Sequence, residues 1–138
     1  MRYIIDTNIL VFAITNRQFL NESVSDILSD LENIIYVSSS SIFELIHLNQ
    51  TGRIKIKQTN IKEFLKSIQE EFNLTILHSK NEHFYTYSRL PLIHGHNDPI
   101  DRIIIAQSIT EKIPLISSDT KFKYYKDLDF IYNDKKAR

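Results

Sequence analysis

Short apolar runs alternate along the chain with longer stretches in which apolar residues return every three or four positions. Tyr3-Ile4-Ile5, Ile34-Ile35-Tyr36-Val37, Leu74-Thr75-Ile76-Leu77, Pro114-Leu115-Ile116 and Phe130-Ile131-Tyr132 are rich in β-branched and aromatic residues and too brief for helices. They predict five strands, the first two of them buried. Between them, Ile9 to Thr15 predicts a short helix, and Val24, Ile27, Leu28 and Leu31 trace the i, i+3, i+4, i+7 stripe of an amphipathic one. Four serines at 38–41 offer N-caps for a helix from Ile42 to Gln50, whose end Gly52 marks. Ile54 and Ile56 alternate with bases in an extended link, after which Ile61, Phe64, Leu65, Ile68 and Phe72 give another helical stripe. Phe84 and Tyr87 belong to a helix ending before Pro91, residues 92–98 read as a loop, and Pro99 suits the first turn of a helix from Ile100 to Lys112. Strands alternating with helices predict an α/β layer fold with a parallel sheet.

Three strands leave directly into polar turns. Asp6 follows the first, the serines before Glu44 follow the second, and Ser117-Ser118-Asp119 follows the fourth; Asp98 and Asp101 open the long helix behind the 92–98 loop. Parallel strands point one way, so these exits share one edge of the sheet, where ligands bind in open α/β folds. At ~4 Å each like-charged pair costs about 1 kcal/mol in water and about 4 at an effective dielectric near 20. Such a cluster raises its pKa values or takes up a cation. An oxygen-only donor set suits a hard ion, Mg²⁺ or Mn²⁺, which can grip a phosphate oxygen.

Each acid also fits a plain structural role. Asp6, Asp98 and Asp119 could cap the helix or turn behind them, and Ser41-Ile42-Phe43-Glu44 spells a capping box. His94 and His96 lie in a Gly-containing loop without a third ligand at sensible spacing, which leaves them as candidates for substrate contact. No Gly-rich phosphate loop or nucleophilic triad is spelled out.

Composition narrows the classes. A length of 138 residues suits one domain, with 133–138 expected to fray. The absence of Cys excludes thiolate metal sites. No apolar run approaches a membrane span and the start does not read as a signal peptide, so cytoplasmic residence is expected. Seventeen bases balance seventeen acids, which argues against a generic nucleic-acid binder. If Asp6, Glu44, Asp98, Asp101 and Asp119 share one metal site, the remaining surface carries a surplus of five positive charges. Arg53 to Lys57 and Lys121 to Lys126 would then be local basic patches, the second partly aromatic.

With these residues in view, the sequence resembles the PIN-domain family, specifically the VapC-like toxins of toxin–antitoxin pairs. The resemblance rests on four segments in order: Ile4 to Leu10, Val37 to Leu45, His96 to Gln107 and Leu115 to Asp119. It implies a single three-layer α/β/α domain with a mostly parallel sheet of four to five strands. It also implies that Asp6, Glu44, Asp101 and Asp119 bind Mg²⁺ and carry catalysis, with Asn8 and Ser117 orienting the carboxylates and Asp98, the cap, beside them. Arg102 matches an Asp-Arg pair usual in the closest subgroup and is read as a salt bridge or a phosphate contact.

The implied activity is metal-dependent endoribonuclease, with RNA as substrate, a cognate antitoxin as partner and a homodimer as the assembly. Phe12, Phe19, Leu20, Phe43 and Leu48 could form the antitoxin groove, although core is favoured for most of them. Two other readings compete: an α/β phosphoacceptor or phosphatase, which lacks its paired acid, late Lys and Asp-x-Asp nucleophile here, and a non-catalytic binding module.

Overall fold

The computed structural model describes residues 1–57 and 60–134. Five strands form one sheet: β1 (Arg2–Ile5), β2 (Ile34–Ser38), β3 (Leu74–Leu77), β4 (Leu115–Ser117) and β5 (Phe130–Tyr132). Their order is β3-β2-β1-β4-β5 and every pairing is parallel. Six α-helices connect them: α1 (Thr7–Thr15), α2 (Glu22–Ser29), α3 (Ser39–Gln50), α4 (Ile61–Glu70), α5 (Asn81–Ser88) and α6 (Pro99–Glu111). This is the α/β fold with a parallel sheet that the residue pattern predicts, in the three-layer α/β/α form that the family resemblance implies.

Alternation along the strands builds two cores. Ile5, Ile35, Val37 and Ile116 face one way, onto Ile9 and Leu10 of α1, Val24 of α2, Leu45 of α3 and Phe64 and Ile68 of α4. Ile4 and Leu115 face the other way, onto Ile104 and Ile105 of α6 and onto Phe122 and Tyr125. Because β1 and β4 are buried on both faces, each reads as a continuous apolar run rather than an alternating one. Each fully buried Ile or Leu contributes about 2 kcal/mol of transfer free energy.

The strand order reverses direction at β1. Connections run outward from β1 to β2 and β3, then the chain returns to lay β4 on the other flank of β1. The crevice between β1 and β4 at their carboxyl ends is therefore the topological switch point, where such sheets bind ligands.

Several local expectations are corrected. Leu31 is not on the amphipathic stripe: α2 stops at Ser29 because Asp30 turns extended and its carboxylate takes the Glu32 N–H at 3.0 Å, leaving Leu31 82% exposed. Phe72 lies beyond the end of α4. The third helix starts at Ser39 rather than Ile42, because Ser38 is its N-cap and accepts from the Ser40 N–H at 3.1 Å. The fraying expected from 133 does not start there: Asn133 is buried, accepting from the Asn21 N–H at 2.6 Å and donating to Phe19 O and Ser118 Oγ. Asp134 accepts from the Asn21 side chain, while 135–138 lie outside the described residues.

Candidate active site

Asp6 is the first residue past β1 and stands over the switch point. Its Oδ1 caps α1 by accepting the Ile9 N–H at 3.0 Å, and its own N–H donates to Ile116 O at 3.2 Å, stitching the turn to β4. Ser117, the last residue of β4, donates its hydroxyl to Asp6 and accepts the Asp119 N–H at 3.0 Å. One buried hydroxyl thus fixes the two acids on either side of the crevice. Asp119 caps the 3-10 turn Thr120–Tyr124 through Oδ1, which takes the Lys121 N–H at 2.9 Å. Its Oδ2 stays directed at the rim, 3.6 Å from His96 Nε2. Capping and a role in the site therefore coexist in one side chain.

Glu44 reaches the cluster from α3. The capping-box reading of Ser41 to Glu44 fails, because Ser38 takes the cap and Ser41 is buried within the helix. Ser41 Oγ instead accepts the Thr7 hydroxyl at 2.9 Å, pinning α3 to the start of α1. Glu44, one turn further along α3, is thereby set beside the residue that follows β1. The fourth acid, Asp101, sits in the first turn of α6, whose cap is Asp98 accepting the Ile100 N–H at 2.8 Å.

The four acids feel one another. Burial, first of all, lifts the Asp6 carboxyl from 3.8 to about 6, against hydrogen bonds from Ser117 and Ile9; the charges of Asp119 and Glu44 push the same way as burial. Burial also leads at Asp101, which rises to about 7 with the charges of Asp6, Asp98, Glu44 and Asp119 added. At neutral pH Asp6 is mostly ionised and Asp101 about half so, and a cation beside them would favour the charged form of both. The side chains of Asp101 and Asp119 remain 26% and 34% exposed, so the cluster opens onto solvent at the sheet edge.

His96 enters the same place from the loop. Only 4% exposed, it brings Nε2 to 3.5 Å from Asp101 Oδ2, and these three side chains offer ligand atoms all within 4.8 Å of one another. The turn that delivers it depends on Gly95, at φ +77° between the bridge partners Ile93 and His96. Lys121 Nζ donates to Gly95 O at 2.8 Å and would lie 3.0 Å from an added Cβ. Gly95→Ala is expected to cost about 1–2 kcal/mol from the left-handed backbone alone, measurable as a lowered urea midpoint.

The family model of the PIN domain matches residues 3–128. The chain belongs to the PIN-domain family. PIN domains are nucleases, so the carboxylate cluster lies in a domain whose class of reaction is hydrolysis of nucleic acid. Among solved structures, VapBC2 from Rickettsia felis, bound to a DNA fragment from its promoter, is 26% identical with a TM-score of 0.72, covering 96% of this chain and 98% of its own. VapBC-1 from nontypeable Haemophilus influenzae is 20% identical with a TM-score of 0.67, covering 98% and 100%. VapBC-5 from Mycobacterium tuberculosis, of a family of toxin-antitoxin systems, is 19% identical with a TM-score of 0.58, covering 95% and 98%. The last two share the fold. By sequence, no curated protein matches significantly.

In this PIN domain the charges of Asp6, Glu44, Asp101 and Asp119 act on one another, with Ser117 between Asp6 and Asp119 and Asp98 at the cap behind Asp101. Among the described residues, the three side chains that bring ligand atoms within 4.8 Å of one another are His96, Asp101 and Asp119, and Asp6 and Glu44 stand outside that group. Asn8 is exposed in the first turn of α1 and makes no side-chain hydrogen bond among the described residues. Among the described residues Arg102 forms no salt bridge, and it is not open to a phosphate: its buried guanidinium donates to Pro91 O at 2.9 Å and Tyr125 Oη at 3.0 Å, and lies over the Tyr87 ring. His96 is enclosed rather than presented to substrate, whereas His94 stays exposed on the loop. The sequence reading missed Thr7, Ser41 and Tyr125, the residues that hold the site together. Of the apolar groove candidates, Leu20 is core, Phe12 and Phe19 are half-buried and meet edge to face, and Phe43 is 74% exposed beside Glu44.

Proposed function

We propose that this PIN domain is a Mg²⁺-dependent endoribonuclease, with Mn²⁺ as the substitute ion, and the toxin of a toxin–antitoxin pair. The observation that supports the reading is the mutual charge influence of four carboxylates around the switch point, two of them pushed up to about 6 and about 7. Such a set of acids fits a hard divalent ion, because carboxylate oxygens are hard donors and the electrostatic penalty of the cluster is relieved by positive charge.

Asp6, Asp101 and Asp119 would hold the ion. Bound there, it supplies positive charge for a phosphodiester and a more acidic water. Glu44, half-buried at the edge of the group, orients the attacking water and takes its proton on a carboxylate oxygen. Ser117 keeps Asp6 and Asp119 in register through both partners of its hydroxyl. The open rim admits a polymer, and exposed His94 and Lys121, which reaches over the loop, lie where a strand's phosphates would pass.

An antitoxin would silence this rim by placing a basic side chain among the acids, with exposed Phe43 as an apolar contact beside Glu44. A homodimer is the assembly the family resemblance implies, and cytoplasmic residence accords with the finding that no helix among the described residues is long and apolar enough to cross a membrane. The purified protein is expected to cut single-stranded RNA with Mg²⁺ and to lose that activity in EDTA, regaining it on Mg²⁺ excess, as read on labelled RNA in gels. Full cleavage in EDTA would reject the metal mechanism.

A further inference from the structure

From the hydrogen-bond directions around Tyr125, we infer that His96 is not a ligand but a positioning residue, a fixed N–H donor that aims the Oδ2 atoms of Asp101 and Asp119. The inference deepens the metal reading above and rests on it. His96 Nε2 is buried with no hydrogen-bond partner of its own, and points into the space between those two oxygens, at 3.5 and 3.6 Å. Those separations exceed hydrogen-bond length, so the position alone suits either an imidazole that ligates or one that donates. The other ring nitrogen decides. His96 Nδ1 lies 2.7 Å from Tyr125 Oη, which also receives an N–H from Arg102 at 3.0 Å. A guanidinium has donors and no acceptor. Among the described residues the phenol proton therefore has one acceptor in reach, His96 Nδ1. With Nδ1 accepting, a neutral imidazole carries its hydrogen on Nε2, and a protonated nitrogen offers no lone pair to a metal.

The chain of donors runs Arg102 to Tyr125 to His96 to the two carboxylates. Its first three members are all buried, and the imidazole is clamped edge-on by the rings of Phe122 and Tyr125 with centroids 5.2 and 5.4 Å away. Arg102 follows Asp101 directly on α6, and Tyr125 closes the 3-10 turn that Asp119 caps. The relay therefore links the two elements that present the two acids. Groups that orient ligands in this way are worth roughly 10–100-fold in metal affinity.

Nitrogen-15 labelling of the histidines in the full chain, with His96 assigned by loss of its signals in His96→Gln, reads the tautomer without metal or RNA. An Nε2–H form is expected; an Nδ1–H form overturns the inference. Mn²⁺ titration by electron paramagnetic resonance should show His96→Ala weakening binding 10–100-fold, with His96→Gln, which keeps an N–H at similar reach, recovering most of it. Tyr125→Phe deletes one hydroxyl and should weaken Mn²⁺ several-fold, which keeps the test available if His96→Ala does not fold. Unchanged Mn²⁺ affinity in these variants, or direct hyperfine coupling between Mn²⁺ and the His96 nitrogen, would sink the positioning role. A wild-type protein that binds no Mn²⁺ would sink the metal reading itself, and the tautomer would still be known.

Discussion

Asp101→Asn is expected to lower RNA cleavage by on the order of 10³-fold or more while making the metal-free protein more stable at pH 8. The two effects have one cause. Burial and four neighbouring carboxylates raise Asp101 to about 7, so above that pH the folded state carries a charge it disfavours. Replacing the carboxylate by an amide of the same shape removes that penalty, a gain on the order of 2 kcal/mol once partial exposure is allowed for. In a domain of this size that is about 5–10 °C in melting temperature. The same replacement deletes a proposed ligand and with it a charge that would draw the ion. Differential scanning calorimetry in EDTA at pH 8, set beside a cleavage assay in Mg²⁺, measures both. Loss of stability with loss of activity would make Asp101 a structural acid; gain of stability with retained activity would move the chemistry elsewhere.

What the chain reveals before folding is the part written in periodicity and at strand ends. Ile4-Ile5 and Leu115-Ile116 are buried on both faces, Ile35 and Val37 are buried on one face with Tyr36 half-buried on the other, and apolar runs this short between turn-forming residues read as strands. Asp6 and Asp119 were legible for the same reason: a charged residue directly after such a run has to leave the sheet at its carboxyl edge. The supports were not legible because their meaning is directional. Four consecutive serines give four equivalent candidates for a cap, and only packing tells that Ser38 takes it while Ser41 turns inward to Thr7.

Lys121 to Lys126 illustrates the opposite confusion. Its bases make it look like a solvated patch, yet Phe122 and Tyr125 stand three apart on the inner side of a 3-10 turn and are fully buried, while Lys123 and Lys126 face out. Spacing of i, i+3 over a single turn is too short to register as a stripe. His96 lacks a third partner at sensible spacing in sequence; its partners arrive from α6 and from the turn after β4, which no local spacing records.

Metal affinity should fall by on the order of 10³-fold between pH 8 and pH 5, more steeply than for an ordinary carboxylate site. Unfolded, Asp6 and Asp101 titrate near 3.8; folded and metal-free they titrate near 6 and near 7. At pH 8 both are ionised and ready to bind. At pH 5 both are protonated, and each must release its proton first, which costs about tenfold per pH unit below the pKa, so about 10-fold at Asp6 and about 100-fold at Asp101. The sign for the empty protein is opposite. Between about pH 4 and pH 7 the folded chain holds more protons than the unfolded one, so these two groups make stability fall as pH rises, and the metal-free melting temperature should climb on going from pH 8 to pH 5. Mg²⁺ should therefore raise the melting temperature strongly at pH 8 and barely at pH 5, with calorimetry in buffers of different ionisation heat detecting almost no proton release at pH 8 and release approaching one proton per raised carboxylate at pH 5. An affinity that stays flat across this range would mean that Asp6 and Asp101 do not meet the ion together, and the crevice between β1 and β4 would lose its claim to be the catalytic centre.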